Sequence, residues 1–532
     1  MDLVVDFFGV AHSIKSTAIQ GWLLLFCPFL ARKGSYSRST KTTTIHSMRW
    51  TILVSSLATL ASATQIAINP FRPAQHDVLP GASLTADSEL KLSSIGSEFT
   101  EITHAAFPTH KVKIKETTGW CDPDVRSYSG YINTGHGRDL FFYFFESRSS
   151  PKTDPVLTWI NGGPGCSSSL GLFMELGPCT IADPSHINGT KVNPYSWNNK
   201  ANVIFLEQPI GVSFSYGKHG QTTSTTEEAA VDVQAFVSIF FQTFKEFKGR
   251  EYFMSGESYG GRYLPVFASA ILDGNKDLVA KGLDPINLKG VLIGNGITDA
   301  YRMMSAYYTY QCTYLPGRPG HELPINSISN CVQMARTLPI CEEMLERDCL
   351  YRTDRDACAG AFSYCASILE QPFFDMNLNP YDISKSCNKT ELEDGLCYGE
   401  ITGTITKYMD LPELRAFLGV EESAHKFASC SNKVGLAFNA ALDSSGKTWL
   451  ICNYVGNEAM VEQTLQWSGQ RAFGQQSLRE WTVDGKSAGT TKSHGPLTFA
   501  TVYGAGHMVP HDKPKQALYM LNTFLHQGGA AL

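Results

Sequence analysis

Short apolar runs alternate with amphipathic stretches along much of the chain, and this pattern predicts alternating strands and helices. Val156–Ile160, Val203–Leu206 and Leu288–Ile293 are largely apolar runs, which is typical of strands buried on both faces. Between the last two runs, Thr225–Phe247 has apolar residues at helical spacing and begins with a capping-box pair, Thr225 and Glu228. The alternation predicts an α/β fold with a mostly parallel sheet.

The same pattern predicts further elements on both sides of this core. Tyr128–Ile132 and Leu140–Phe145 read as two strands around a turn at Gly135–Gly137. Glu251–Met254 is strand-like, and Tyr263–Leu272 is long enough for a helix. The α/β pattern resumes near the C-terminus and ends in a helix at Lys515–His526.

The α/β rhythm breaks between residues 301 and 430, where the chain is irregular and rich in cysteine. Eight of the 14 cysteines lie between Cys312 and Cys397, and no Cys-x-x-Cys pair with histidine partners accompanies them. Disulfides in an oxidising compartment therefore explain the cysteines better than zinc does. We expect residues 301–430 to be an inserted Cys-rich cap, with 116–300 and 431–532 as the two parts of an α/β core.

The N-terminal region has the pattern of a secretory signal in an unusual place. Residues 48–64 combine a basic start at Arg49, an apolar core and an Ala-x-Ala-like site at Ala61–Ala63. We therefore expect translation to begin at Met48, with residues 1–47 a non-native upstream extension and 65–115 a pro-segment or loose arm. The alternative is a membrane-anchored start, although the apolar stretch Gly21–Leu30 is too short to span a bilayer.

Composition narrows the class of partners. The net charge of −6 provides no electrostatic footprint for nucleic acid. No metal or nucleotide motif is present, so we expect neither a metal nor another cofactor. Sequons at Asn188 and Asn388 agree with a secreted glycoprotein.

The candidate nucleophile is Ser258, at the centre of a G-x-S-x-G pattern that stands between a predicted strand and a predicted helix. A sharp turn from strand to helix holds a serine in a strained, exposed conformation. We expect Gly256 and Gly260 to be required because the two segments approach too closely for a Cβ. The alternative is a Gly/Ser turn without chemistry, because the pattern alone is common by chance.

A serine nucleophile needs a base and an oxyanion hole, and the chain offers candidates for both. His507 follows an apolar strand on a Gly-rich loop near the C-terminus, which fits the serine-acid-histidine order of α/β-hydrolases. The N–H of Tyr259, the residue after the nucleophile, and that of Gly163, in the Gly-rich loop after Val156–Ile160, are the expected oxyanion donors. The alternatives are a solvated loop histidine and a plain turn.

Five motifs in this order resemble those of the serine carboxypeptidase family, and the likeness covers most of residues 120–530. Its closest similarity is to fungal secreted or vacuolar members. The motifs are Trp159–Ser168, Asn193–Asn198, Gly256–Gly261, Ile451–Asn457 and Gly506–Pro510.

The resemblance implies an α/β-hydrolase fold and a serine exopeptidase that releases the C-terminal amino acid of a peptide or protein. In the family, an Asn, a Gly and two Glu residues hold the substrate carboxylate. They match Asn161, Gly162, Glu175 and Glu257. Two carboxyls forced together share a proton, so we expect substrate binding to weaken as pH rises and activity to be highest at acidic pH. For Glu175 alone, a helix-surface charge is the alternative.

The third triad residue is missing from its expected place. The family carries an Asp just before the Ile-Cys-Asn motif, where this chain has Trp449. The resemblance also implies that a sheet strand near 443–449 is missing, because the segment from Cys430 to Cys452 is shorter than in the family and a strand with its crossover needs about a dozen residues or more. Three explanations remain open: a segment missing from the sequence, replacement by Asp443, or an inactive homologue. Loss of the orienting Asp would lower kcat by about 10⁴.

The resemblance also bears on the cysteines and on competing functions. It pairs Cys166 with Cys430 and leaves Cys452 unpaired near the site. With Cys27 ahead of the signal, twelve cysteines remain for six bridges. An esterase or acyltransferase of the same fold would share Ser258 and His507, and a secreted pseudoenzyme would bind peptide C-termini without turnover. The mature protein is expected in the secretory pathway, extracellular or vacuolar, without a membrane anchor.

Overall fold

The computed structural model describes residues 3–9, 90–135, 137–315, 324–352, 354–441 and 452–532. The signal peptide expected at 48–64 lies outside these residues, as do Cys27, Asp443 and Trp449. Residues 443–449, where the resemblance implies that a sheet strand is missing, also lie outside the description.

Strands run through most of the described chain. They are β1 Leu3–Gly9, β2 Thr100–His104, β3 Phe107–Glu116, β4 Ser127–Asn133, β5 Arg138–Phe145, β6 Val156–Ile160, β7 Cys179–Ile181, β8 Thr190–Val192, β9 Asn202–Leu206, β10 Tyr216–Gly217, β11 Tyr252–Glu257, β12 Leu288–Gly294, β13 Leu378–Asn379, β14 Asp382–Ser386, β15 Arg479–Val483, β16 Lys486–His494 and β17 Leu497–Val502. One large sheet has the order β15-β16-β17-β1-β12-β11-β6-β9-β5-β4-β3-β2, with β10 beside β5. β13 pairs with β14, and β7 pairs with β8.

The centre of the large sheet is parallel and its flanks are antiparallel. β12, β11, β6 and β9 run parallel to one another, whereas β5 to β2 and β15 to β17 pair antiparallel. The carboxyl ends of the parallel strands share one edge, where ligands bind in open α/β sheets. Asn161, Glu207, Ser258 and Asn295 follow β6, β9, β11 and β12 directly and therefore lie along this edge.

β1 lies between β12 and β17 and is antiparallel to both. It belongs to the 1–47 segment that the sequence predicts to be a non-native extension, and this remains a prediction. A protein processed at residue 64 would lack β1, so that the sheet position between β12 and β17 would need another strand.

Helices cover the sheet and build the segment between residues 301 and 430. They are α1 Thr226–Thr243, α2 Gly260–Ala280, α3 Ala300–Cys312, α4 Ile328–Leu345, α5 Arg355–Leu369, α6 Gln371–Phe374, α7 Lys389–Gly395, α8 Gly399–Met409, α9 Pro412–Leu418, α10 Asn432–Ala440, α11 Tyr454–Ala459, α12 Gln470–Gly474, α13 Val509–Asp512 and α14 Pro514–Gln527. A π-helical turn spans Gly171–Glu175. Because strands alternate with helices around a parallel core, the predicted α/β fold is confirmed.

Two hydrophobic cores lie on the two faces of the sheet, and β5 shows how one strand serves both. Leu140, Phe142 and Phe144 belong to the core that includes α1 and α2. The alternate residues Phe141, Tyr143 and Phe145 belong to the core that includes α14. Side chains of a strand point alternately to opposite faces, so a continuous apolar run predicts burial on both sides.

Two local expectations differ from the structure. The end of the expected arm at 65–115 is not loose, because β2 and β3 add to the edge of the sheet, with Val112 and Ile114 in its core. α1 is capped by Thr225 as predicted, but the Glu228 carboxylate accepts from the Ser224 N–H, so the capping box is only half formed.

The described cysteines form six disulfides, and Cys452 is free and buried. Four bridges are local to residues 301–430: Cys312–Cys331, Cys341–Cys365, Cys349–Cys358 and Cys387–Cys397. The other two are Cys121–Cys179 and Cys166–Cys430. The bridge from Cys166 to Cys430 joins the loop after β6 to the segment before α10.

Candidate active site

Ser258 occupies the sharp turn between β11 and α2. Its backbone is in the left-handed region, with φ of 59°, which is strained for a residue other than glycine. The turn is fixed from both sides, because the Ser258 N–H donates to Gly294 O at 3.0 Å, while its carbonyl accepts from Gly261 N at 2.9 Å and Ile297 N at 2.8 Å. The side chain is half-buried.

The glycines around the turn differ in how much space there is for a Cβ. A Cβ at Gly256 would lie 2.3 Å from Ile160 O, as the sequence led us to expect. The expectation for Gly260 was wrong, because its nearest neighbour would be 3.8 Å away, an ordinary contact. The close approaches are instead at Gly261, 2.6 Å from Ile297 N, and at Gly162, 2.4 Å from Tyr259 N.

The loop after β6 lies directly against the Ser258 turn. A Cβ at Gly162 would also be 2.8 Å from the Ser258 Cβ, so this loop and the start of α2 are in van der Waals contact. Gly163 has φ of 113°, a conformation that favours glycine. The structure thus places the loop that contains Gly163 next to the Tyr259 backbone, against the Ser258 turn.

His507 lies on the loop after β17 and is 5% exposed. The loop is held by backbone contacts: the His507 N–H donates to Tyr381 O at 2.7 Å, and Asn295 Nδ2 donates to His507 O at 2.8 Å. The preceding N–H, of Gly506, donates to Asp512 Oδ2 at 2.7 Å. Burial lowers the pKa of His507 to about 3, so the imidazole stays neutral in mild acid.

The imidazole ring lacks the hydrogen bonds that hold the backbone of its loop. His507 Nδ1 is buried and has no hydrogen-bond partner in the described part of the chain. Within those same residues no hydrogen bond joins it to Ser258, whose hydroxyl contacts the Cys452 side chain instead. The place of an orienting carboxylate is therefore not filled by a described residue, and Trp449, at the position expected for it, lies outside them.

Asn161, Glu175 and Glu257 form one buried cluster beside Ser258. Asn161 Nδ2 donates to Glu175 Oε1 at 3.2 Å and to Glu257 Oε1 at 3.1 Å. Its Oδ1 accepts from Trp159 Nε1 at 2.8 Å and Gly171 N at 2.9 Å, which fixes the orientation of the amide. Glu175 is delivered by the π-helical turn and Glu257 by the end of β11, so the surface-charge alternative for Glu175 is excluded.

Both carboxyls of this cluster hold protons more tightly than usual. Burial raises the pKa of Glu175 above its ordinary value. Burial and the Glu175 charge raise the pKa of Glu257 well above its ordinary value, and the two carboxyls are within hydrogen-bonding reach. Two buried carboxyls this close retain a shared proton at acidic pH, and that proton can be donated to an anion.

Cys452 and the two sequons complete the predicted set. Cys452 is buried against Ser258, and burial raises its thiol pKa well above the ordinary value, so it is a neutral thiol. Asn188 and Asn388 are both exposed, and the Asn388 side chain caps α7 by accepting from Glu391 N at 3.0 Å.

Several residues that support the site were not found by sequence reasoning. Tyr381 at the β13–β14 hairpin, Asn295 after β12 and Asp512 in α13 hold the His507 loop through the contacts given above. Asn295 was accessible to prediction, because it directly follows a buried parallel strand. The Tyr381 hydrogen bond uses a backbone carbonyl, which leaves no signal in the sequence. The Tyr381 ring also packs edge-on against the imidazole, with 5.5 Å between the ring centroids.

No helix in the described residues is both long and apolar enough to cross a bilayer. Across the same residues no group of three or more His, Cys, Asp or Glu side chains is placed to hold a metal ion.

Comparison with known proteins gives one consistent family. The serine carboxypeptidase family model matches residues 118–527. The vacuolar serine-type carboxypeptidase ATG42 of Saccharomyces cerevisiae is 36% identical over 427 residues, covering 75% of this chain and 79% of that protein. Carboxypeptidase Y of Schizosaccharomyces pombe is 36% identical over 494 residues, which are 86% of this chain but 47% of that protein, so the chain spans about half of its length.

A solved structure agrees at the level of the fold. The crystal structure of Kex1Δp, a prohormone-processing carboxypeptidase from Saccharomyces cerevisiae, superimposes with a TM-score of 0.62. The alignment covers 84% of this chain and 97% of that chain at 22% sequence identity.

Proposed function

The chain belongs to the serine carboxypeptidase family, and from this premise we propose that it releases C-terminal amino acids from peptides and proteins through an acyl-enzyme on Ser258. The resemblance of the sequence motifs to this family is thereby confirmed. The observation that carries the proposal is the buried Asn161–Glu175–Glu257 cluster beside a serine held in a strained turn.

The proposed roles follow from the positions of the residues. Ser258 Oγ attacks the last peptide carbonyl while His507 takes its proton and later gives it to the leaving amine. The N–H groups of Gly163 and Tyr259 donate to the oxyanion. Asn161, with the Gly162 backbone and the two glutamates, holds the free carboxylate of the substrate.

The glutamate pair predicts the direction of the pH dependence. The pKa of both carboxyls is raised, so the shared proton is present at acidic pH and is lost as pH rises through the raised pKa values. Without it, the pair repels a substrate carboxylate. The lowered pKa of His507 acts in the same direction, because the imidazole remains a free base in the acidic range. We therefore expect peptide turnover to be favoured in acid.

The proposed compartment is the secretory pathway, with the mature protein vacuolar or extracellular. Six disulfides require an oxidising route of synthesis. The exposed sequons at Asn188 and Asn388 fit the same route. The name of one relative, a vacuolar serine-type carboxypeptidase, supports the vacuole.

The test compares blocked dipeptides that differ only at the C-terminus. A free carboxylate should be hydrolysed at pH 5 much faster than the amide, because the charged carboxylate accepts a stronger hydrogen bond from the protonated glutamate pair than a neutral amide does. Ser258→Ala should remove the turnover. Equal turnover of acid and amide would favour an esterase or acyltransferase of the same fold, and turnover that survives Ser258→Ala would contradict the proposal.

One observation favours a second candidate, an impaired or inactive homologue. His507 Nδ1 has no acceptor among the described residues, although an imidazole base needs one for the correct tautomer. Binding of a peptide C-terminus without turnover would support this candidate. Sequencing of the transcript across residues 430–452 would show whether a strand with an aspartate belongs there.

A further inference from the structure

Glu207 is a buried carboxyl that the proposed mechanism does not use. It is the first residue after β9, at the carboxyl edge of the sheet, and its exposed fraction is 0%. An unpaired buried carboxyl is costly, so its surroundings must provide hydrogen bonds in compensation.

Three consecutive serines provide those bonds. Ser167 Oγ donates to Glu207 Oε1 at 2.8 Å, and Ser169 Oγ donates to the same oxygen at 2.7 Å. The Ser168 N–H donates to Oε2 at 3.1 Å. Burial raises the pKa of Glu207 to about 7, and these donors counteract part of that shift. Both carboxyl oxygens are therefore engaged with one turn.

This turn is the end of the loop that contains Gly162 and Gly163. Ser168 Oγ donates to Leu206 O at 2.7 Å and accepts from Asn161 N at 3.3 Å, which links the two ends of the loop. Between them, Cys166 N donates to Gly162 O at 3.1 Å. The loop is thus a short closed turn, and its far end is fixed to β9 through Glu207.

We propose that Glu207 is a positioning residue for the reaction: by fixing Ser167–Ser169, it sets the position of the Gly163 N–H in the oxyanion hole. The proposal rests on the proposed function, because it concerns the same acyl transfer at Ser258. An oxyanion donor must lie about 2.7–3.1 Å from the oxyanion, so a small shift of the loop weakens the hydrogen bond that forms in the transition state.

The first variant is Glu207→Gln, which keeps the size of the side chain. Glutamine offers one acceptor oxygen for the two hydroxyls and places an NH₂ group against the Ser168 N–H. The double variant Ser167→Ala/Ser169→Ala removes the same bonds from the other side and keeps the experiment informative if Glu207→Gln does not fold. The substrate is an N-blocked amino acid p-nitrophenyl ester, which lacks a free carboxylate and so does not report on Glu175 and Glu257.

We expect kcat for this ester to fall about 10- to 100-fold in both variants, since loss of one oxyanion donor costs about 10²–10³ and a misplaced donor costs less. KM should stay within about twofold, because the interaction is gained in the transition state. A KM increase at unchanged kcat would overturn the proposal, and so would wild-type kinetics in both variants.

Asp154→Asn is the matched control. Asp154 is also a buried carboxyl that holds a serine turn, accepting from Ser147 Oγ and from Ser150 N at 2.9 Å, but it lies before β6, at the opposite end of the strand. The variant Asp154→Asn should lower the melting temperature, as Glu207→Gln does, but it should leave kcat unchanged. Equal loss of kcat in the control would mean that any weakened buried carboxyl has this effect, and the proposal would fail.

The variant Ser258→Ala, in the otherwise unchanged chain, distinguishes failure of the proposed function from failure of the positioning role. If ester turnover does not depend on Ser258, the proposed function fails, and the positioning role is then decided by crystal structures of the variants. We expect Gly163 N to move relative to Ser258 Oγ in Glu207→Gln and in the double serine variant but not in Asp154→Asn. An unmoved Gly163 would overturn the inference.

Discussion

The two halves of the proposed active site are held in different ways. Ser258 is fixed by its own backbone, which bonds to the end of β12 and to the start of α2. Among the described residues, His507 is held through its loop, by the carbonyl of Tyr381 and the amide of Asn295, and its imidazole packs edge-on against the Tyr381 ring. Its side-chain Nδ1 has no partner in the residues that the structure describes.

The difference shows which part of a triad a local motif can specify. The serine half is encoded within a few residues, because strand, turn and helix are consecutive. The histidine half depends on groups that arrive from β12, from the β13–β14 hairpin and, in a complete triad, from a strand that ends just before Cys452. We therefore expect that loss of one distant segment would damage the histidine half and leave the serine half intact.

The largest effect should come from completing the histidine half. Inserting the strand and helix of a relative, with its aspartate, between Cys430 and Cys452 should raise kcat for a blocked dipeptide by about 10⁴, the factor attributed to the orienting carboxylate. Cys452 lies against Ser258, so a strand that ends there would enter the sheet beside β12, where β1 now lies.

The control for this insertion carries Asn in place of the inserted aspartate. It should fold as the active form does and remain near the activity of the unmodified chain. An equal gain with Asn would show that the insertion acts by completing the sheet and that His507 needs no carboxylate. The second readout is truncation of residues 1–47, which should be tolerated only when the inserted strand is present.

The next effect concerns the buried titratable groups, whose pKa values are shifted in opposite directions in the two halves. The serine half contains Glu175, Glu207 and Glu257, whose pKa values burial raises, whereas burial lowers that of His507. For Glu207, burial raises the pKa from its ordinary value of 4.5 to about 7, so its contribution to stability is full below pH 4.5 and is lost as pH rises to about 7.

Glu207→Gln cannot titrate, so the wild type should lose about 3 kcal/mol of unfolding free energy relative to this variant between pH 4.5 and pH 8. Urea denaturation at the two pH values measures the difference. Glu480→Gln, on the exposed side of β15, is the control and should follow the wild type. Parallel curves for wild type and Glu207→Gln would show that the Glu207 carboxyl titrates as it does in the unfolded chain.

The same contrast explains how much the sequence could predict. The central strands and α2 were accessible because buried apolar runs and helical spacing are local signals. Ser258, His507 and the Gly162–Gly163 loop were accessible because they lie in short motifs. The contact of Tyr381 with the His507 loop was not, because it joins residues far apart in the chain through backbone groups. The Asp512 carboxylate is only six residues after Gly506 but lies outside the short motif around His507.

Edge strands and individual glycines were harder to predict. β2 and β3 were assigned to an arm because their exposed polar residues obscure the alternation that places Val112 and Ile114 in the core. Gly260 was assigned a steric role from its place in the motif, but a close approach depends on which neighbour faces the Cβ position. That neighbour is set by tertiary packing and has no signature in the sequence.

The smallest expected effect tests this last point within the serine half. Gly256→Ala would place a Cβ 2.3 Å from the backbone oxygen of Ile160, so β6 or β11 must shift, at a cost of about 1–3 kcal/mol. Gly260→Ala meets nothing closer than 3.8 Å at the start of α2 and should be neutral or stabilising by up to about 1 kcal/mol, since alanine favours a helix. Thermal melts of the two variants measure both values. Equal destabilisation would mean that the turn itself, rather than the distance to β6, requires glycine. Both motif glycines would then be required, as the sequence first indicated.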